Sequence, residues 1–138
     1  MIKQIAIFSI LIFFMVAVPI VTVAQSNWKA PPSADSLQNP LENSKTVLSA
    51  GKTMYSQLCR VCHGNTGRGD GPTAAALNPK PAKLTSEAVQ SQNDGAIFWK
   101  INHGNPPMPG FQSRLSEKQT WALVSYIRSL NNQTKTKK

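Results

Sequence analysis

Cys59, Cys62 and His63 stand at the head of the stretch CRVCHGNTGRGDGP, residues 59–72, and the two cysteines are all that the 138-residue chain contains. Two thiols three positions apart, followed at once by an imidazole, suit three chemistries: a zinc site, a dithiol redox pair, or covalent attachment of a haem. Structural zinc needs four ligands, usually including a second close pair of Cys or His. Beyond the motif the chain offers one distant histidine, His103, and adjacent Cys62 and His63 do not readily turn toward one small ion. A thioredoxin-type dithiol follows a strand and opens a helix, whose dipole lowers the thiol pKa. Here the pair closes a helical pattern with no strand pattern before it. Haem attachment needs what is present. Cysteines at i and i+3 share one side of a helical turn and can add to two vinyl groups along one porphyrin edge, and His63 follows to bind the iron.

The leader sets the compartment. Residues 1–24, MIKQIAIFSILIFFMVAVPIVTVA, carry one charge, Lys3, and end in small residues at Thr22 and Ala24. This reads as a secretory signal cleaved after Ala24. The apolar run over 5–23 also approaches the roughly 20 residues that span a bilayer, so a retained anchor is the alternative. Either way the domain is expected to be exported and periplasmic, or anchored on the outer side of the inner membrane. An exported cysteine pair would ordinarily form a disulfide, but a loop closed by Cys59 and Cys62 is too short to staple a fold. Fifteen Lys and Arg stand against six Asp and Glu, a cationic balance that steers encounter with negatively charged partners. Redox proteins with acidic docking surfaces, or a membrane respiratory complex, are the expected partners. No aromatics interleave among the basic residues, so nucleic acid is not expected; the membrane is a partner if the leader is retained.

The elements that must position the motif read as all-α. Residues 25–43 are a Pro/Ser/Asn-rich arm or linker, containing Trp28 and an Asn39-Pro40-x-Glu42 order that suits a short helical turn. From Ser44 to Cys62, apolar residues recur at steps of three and four through Val47, Leu48, Gly51, Tyr55 and Leu58. A weaker helix is expected around Ser86 to Gln92. The stretch DGAIFWKINHG predicts a short helix capped by Asp94, with Ile97, Phe98 and Ile101 inward and its stop near Gly104. Ser116 and Gln119 form a capping box before a stripe of Leu123, Tyr126, Ile127 and Leu130, with Asn131 and Asn132 ending the helix. The domain is thus set at 44–132, with a basic tail at 133–138. So few short helices bury little apolar surface for a stable core, which a haem at the centre would remedy.

From about residue 48 to 130 the sequence resembles the class I monohaem cytochromes c, either small periplasmic carriers or cytochrome c subunits of bacterial respiratory complexes. GKTMYSQLCRVCHG, GRGDGP, PKPAKL, INHGNPPMPGF and WALVSYIRSL follow one another in that family's order. The resemblance implies a cytochrome c fold of three to five short helices around one covalently attached haem c, with first and last helices crossing near Gly51, Tyr55, Leu123 and Tyr126 or Ile127. It also implies Met108, on the proline-stiffened strap NPPMPG, as the sixth iron ligand opposite His63. His103 is the rival ligand, and Met54 is read as packing. By order in the chain, Pro72 or a neighbour in GDGPTAA is expected to accept the other ring proton of His63, while Pro79, Pro81 and Leu84 line the pocket. Phe98, Trp99 and Trp121 read as core, and Gly64, Gly67, Gly69 and Gly71 let the loop turn close to the macrocycle. The implied function is single-electron transfer through a six-coordinate haem, with docking by lysines such as Lys52, Lys80, Lys83 and Lys100. A fixed subunit of a larger oxidoreductase complex is the alternative, followed by a haem enzyme or sensor with an open iron site.

Overall fold

Ser44 opens the first long helix, its hydroxyl accepting from the amide of Val47 at 3.2 Å, the usual way an N-cap satisfies an orphan donor. The computed structural model describes residues 28–135; the leader read over residues 1–24 lies outside them. The described residues form no strand. They comprise α1 (Pro32–Asp35), α2 (Lys45–Leu58), α3 (Arg60–His63), a 3₁₀ turn (Ala74–Ala76), α4 (Glu87–Gln90), α5 (Asp94–His103) and α6 (Glu117–Lys135). The helical pattern read from about Ser44 to Cys62 is present as two helices divided at Cys59, so that Cys62 and His63 lie on their own turn, α3.

The architecture is organised by the crossing of α2 over α6. Gly51 makes it possible: a Cβ there would lie 2.1 Å from the Ala122 carbonyl oxygen and 2.7 Å from Tyr126 Cβ. Next to this close approach the rings of Tyr55 and Tyr126 meet at 5.2 Å, and Leu123, Val124, Ile127 and Leu130 are buried with them. Burying each aliphatic side chain is worth about 1.5–3 kcal/mol, so this seam and the residues of α5 that join it hold the fold. Ile97 and Ile101 come from α5, and Phe98 stacks on Trp121 at 4.1 Å between ring centres. The α6 capping box forms as expected, Ser116 N donating to Gln119 Oε1 at 2.8 Å and Gln119 N to Ser116 Oγ at 3.3 Å.

Three local expectations are corrected. Asp94 does not cap α5. Asn93 holds the N-cap position without a side-chain bond, and Asp94 instead accepts from Arg128 Nε at 2.7 Å. The same guanidinium donates to the carbonyls of Gln90 and Gln92, tying the α4–α5 junction to α6. Asn131 and Asn132 do not end α6, which continues to Lys135, because asparagine costs a helix little where no Gly or Pro enforces a stop. No helical turn forms over 39–42. The arm turns earlier, at Pro32–Asp35, where Ala34 is buried against α5. Asn39 serves another purpose: its Nδ2 donates to Ser125 Oγ on α6 at 2.9 Å while its Oδ1 accepts from Leu41 N.

Candidate functional site

The turn that carries the motif is fixed on every side. Cys59 O accepts from Cys62 N and His63 N, and Arg60 O from Gly64 N. The loop after the motif then folds back, with Gly69 N bonded to His63 O, Gly71 N to Cys62 O and Thr73 N to Val61 O, at 2.9–3.1 Å. Tyr55 completes the set, its buried hydroxyl donating to Gly64 O at 2.7 Å. Each carbonyl from Cys59 to Gly64 therefore has a donor, which accounts for the backbone acceptors that a helix end leaves open. The loop reaches this path because Gly64, Gly67 and Gly69 adopt positive φ. Gly71 does not; it is needed because a Cβ there would lie 2.4 Å from Val61 O.

Both cysteines are free thiols. Burial pushes the Cys59 thiol up to about 12. Cys62 Sγ lies 3.4 Å from Thr73 Oγ1, whose own proton goes to Val61 O at 2.9 Å, so the Cys62 S–H is the donor of that pair. His63 Nδ1 lies 3.0 Å from the carbonyl of Ala82. A carbonyl can only accept, so Nδ1 carries the proton and Nε2 presents a lone pair. Burial lowers the imidazole pKa, with the Ala82 bond opposing, which favours the neutral ring a metal requires. The acceptor expected by order in the chain was Pro72 or a neighbour in GDGPTAA, a stretch to which Ala82 does not belong. The carbonyl that takes the proton is that of Ala82, in the PKPAKL segment.

Met108 reaches the same cavity on a strap. Its amide and carbonyl exchange hydrogen bonds with Asn105 at 2.9 Å, closing a tight bridge. Phe111 N to Ile101 O and Gln112 N to Asn102 O fasten the strap to the end of α5. His103, the rival, is exposed; its Nδ1 donates to Trp99 O at 2.8 Å and its ring stacks on Trp99 at 4.1 Å. Met54 packs against the core.

Cys59, Cys62, His63 and Met108 all line one cavity of about 140 Å³, together with Leu58, Leu77, Pro79, Pro81 and Phe111. Leu84 is not in its wall; it packs against the core, its amide bonded to Gly67 O at 2.7 Å. This volume is below the roughly 300 Å³ or more of a preformed cofactor site. Fit to a covalently held haem rests on the donor set: two thiols, a neutral imidazole with a free nitrogen and a thioether, in a lining that is otherwise mostly apolar, with Lys80 and Asn105 its other polar members. A larger hollow of about 430 Å³ is lined by Arg60, Val61, Gly64, Asn65, Thr66, Asp70 and Pro72 and holds none of these donors. No three His, Cys, Asp or Glu converge on a metal position among the described residues, as a zinc site would require.

The lysines expected to ring the site divide. Lys80 Nζ donates to the carbonyls of Ala74 and Ala75, and Lys100 Nζ donates to Gln92 Oε1 at 2.7 Å while lying over the Trp28 ring. Lys52 and Lys83 are exposed. Sequence reasoning missed Ala82, whose role is purely a backbone one and leaves no residue-type signal. It placed Tyr55 at the crossing without its bond to Gly64; a tyrosine one helical turn before the first cysteine was the available cue.

Comparison with known proteins agrees with this chemistry. The family described as "Cytochrome C oxidase, cbb3-type, subunit III" matches residues 46–127. Cytochrome c-554(547) of Halothiobacillus neapolitanus is 34% identical over 91 residues, 59% of this chain and 94% of that one. The cytochrome c subunit of the quinone alcohol dehydrogenase of Gluconacetobacter polyoxogenes is 28% identical over 127 residues; these are 84% of this chain, which spans a quarter of that subunit. A chain of the Kuenenia stuttgartiensis reducing HAO-like protein complex superposes with a TM-score of 0.61 at 31% identity, over 70% of this chain and 48% of that one. Among the described residues no helix is long and apolar enough to cross a membrane. The CxxCH turn, the cavity it shares with Met108 and the family match over the helical body agree: the chain belongs to the cytochrome c family, haem c proteins of electron transfer.

Proposed function

We propose that this chain is a single-electron carrier of an exported respiratory or redox chain, with Cys59 and Cys62 to bond its one haem c and His63 and Met108 to hold the iron. One observation supports this above the rest: the imidazole and the thioether line the same cavity as the two thiols, and the Ala82 bond leaves Nε2 as the nitrogen available to iron. When bound, haem c supplies a reversible one-electron change at iron. The residues do the remainder. The Ala82 carbonyl orients His63 and raises its basicity, and the Asn105 bridge fixes the reach of the Met108 thioether. A thioether favours ferrous iron over a second imidazole would. With both His63 and Met108 given to the iron, no position on it would be open to a substrate, so electron exchange would be retained and bond-making chemistry suppressed.

The domain is assigned to residues 44–132, preceded by a leader at 1–24 and the arm at 25–43, with the basic end at 133–138. Exposed Lys52 and Lys83 favour acidic docking surfaces on redox partners. A fixed subunit of a larger membrane oxidoreductase is the second reading, favoured by the relative that is the cytochrome c subunit of a quinone alcohol dehydrogenase.

The test uses the native exported protein. Its mass exceeds that of the polypeptide by one haem, and its ferric spectrum shows the weak long-wavelength band of sulfur-bound iron. Met108→Ala abolishes that band and lets the ferrous protein bind carbon monoxide at neutral pH. Carbon monoxide binding by the unaltered protein would overturn the six-coordinate assignment. Membrane fractionation and gel filtration separate the free carrier from the fixed subunit.

A further inference from the structure

One wall of the cavity comes from outside the helical body. Trp28, on the arm before α2, lines it with the two thiols, His63 and Met108. The indole is half-buried and is held from its face by Lys100, whose Nζ lies 5.2 Å from the ring centre. A cation over an aromatic face is attractive, and the Gln92 Oε1 bond at 2.7 Å keeps the ammonium there. Farther along, the arm is locked to the body. Ala34 is 2% exposed, and α5 approaches so closely that a Cβ on Gly95 would lie 1.9 Å from Ala34 O and 2.8 Å from Leu37 Cβ. Asn39 adds its bond to Ser125. A segment of this Pro- and Ser-rich composition would otherwise lie in solvent. Here burial, a hydrogen bond and a cation hold it so that one large aromatic faces the donor set.

We infer that Trp28 is a positioning residue of the electron-transfer site: the arm seats its indole against the haem cavity, Lys100 clamps it, and together they exclude water and small ligands from the cavity. This rests on the His63 and Met108 assignment. Apolar cover around a metal limits solvent access and disfavours the more charged oxidation state, so removing the indole lowers the reduction potential. It also makes room for an exogenous ligand to compete with the thioether.

The experiment titrates the ferric, haem-loaded full chain with imidazole and measures its midpoint potential, for the unaltered protein, Trp28→Ala, Trp28→Phe and Gly95→Ala. The nearest atoms to the methyl of Gly95→Ala belong to Ala34 and Leu37, neither of which lines the cavity; on its own the change favours the helix, but its methyl must lift the arm. Trp28→Ala is expected to bind imidazole about tenfold more tightly, equivalent to about 1.4 kcal/mol, with a lower midpoint. Gly95→Ala moves both readouts in the same direction, and Trp28→Phe stays close to the unaltered protein. Imidazole affinity within twofold of the unaltered protein and an unchanged midpoint in Trp28→Ala overturn the inference. So does a Gly95→Ala protein that behaves as unaltered, even where Trp28→Ala responds. Should Trp28→Ala not accumulate, Gly95→Ala decides alone. Loss of the long-wavelength band in the unaltered protein sinks the ligand assignment instead, so the two failures are told apart.

Discussion

Gly51→Ala tests the crossing on which the site depends. The added methyl carbon would sit 2.1 Å from Ala122 O, 2.8 Å from the carbonyl carbon of Ala122 and 2.7 Å from Tyr126 Cβ. Non-bonded carbons rest near 3.5–4.0 Å, so α2 must withdraw by more than about 1 Å. Two of those atoms are backbone and the third is the first side-chain carbon, so no rotamer change relieves the contact. Overpacking of this kind costs about 1–3 kcal/mol, and a rigid partner places the cost near the upper figure. Replacing glycine by alanine inside a helix returns about 1 kcal/mol. The expected net loss is about 2 kcal/mol, which for a domain of this size lowers the melting temperature by about 8–16 °C. Far-ultraviolet circular dichroism of the oxidised, haem-loaded protein reads it, with exposed Lys52→Ala as a control expected to stay within about 0.5 kcal/mol. A melting temperature equal to or above that of the unaltered protein would refute the close approach at residue 51.

Two further outcomes are expected. Tyr55→Phe removes the shorter of two bonds to the buried Gly64 carbonyl, leaving the longer one from Gly67 N, and costs about 0.5–1.5 kcal/mol at neutral pH, read as a shift of the urea midpoint. It also changes the alkaline limb. Burial raises the Tyr55 phenol above its ordinary 10.0, so the unfolded chain ionises first and stability present below about pH 10 is lost as pH rises further. Tyr55→Phe flattens that fall, leaving a residual slope from Tyr126, which burial also raises; an unchanged slope would refute the assignment. Cys59→Ala/Cys62→Ala made without haem is expected to be largely unfolded by circular dichroism, and a full helical signal would refute the haem as the missing centre of the core.

Local and periodic features were legible in the sequence. The Ser116 and Gln119 box needs only neighbours three apart, and the Leu123 to Leu130 stripe follows from helix geometry, so both stand where the pattern puts them. Gly51 and Tyr55 were placed at the crossing through the family resemblance, and they meet α6 there. What escaped depends on long-range paths. The partner of His63 is Ala82 because Gly71 and Thr73 fasten the loop to α3 while Leu84 fastens the next segment to Gly67. Nothing in residue type marks a carbonyl for that use. Lys80 looked like a docking charge and is spent on its own chain. The arm holds proline at both Pro32 and Pro40, and tertiary contact with Gly95 decided which one begins a helix.

The carbonyls from Cys59 to Gly64 are each already answered by a donor from the protein itself. A unit of charge that comes or goes beside these six carbonyls meets dipoles whose directions are already fixed. Such a frame is set in advance of the event it serves, and its contribution to speed is inertia: the scaffold stands still while the electron passes.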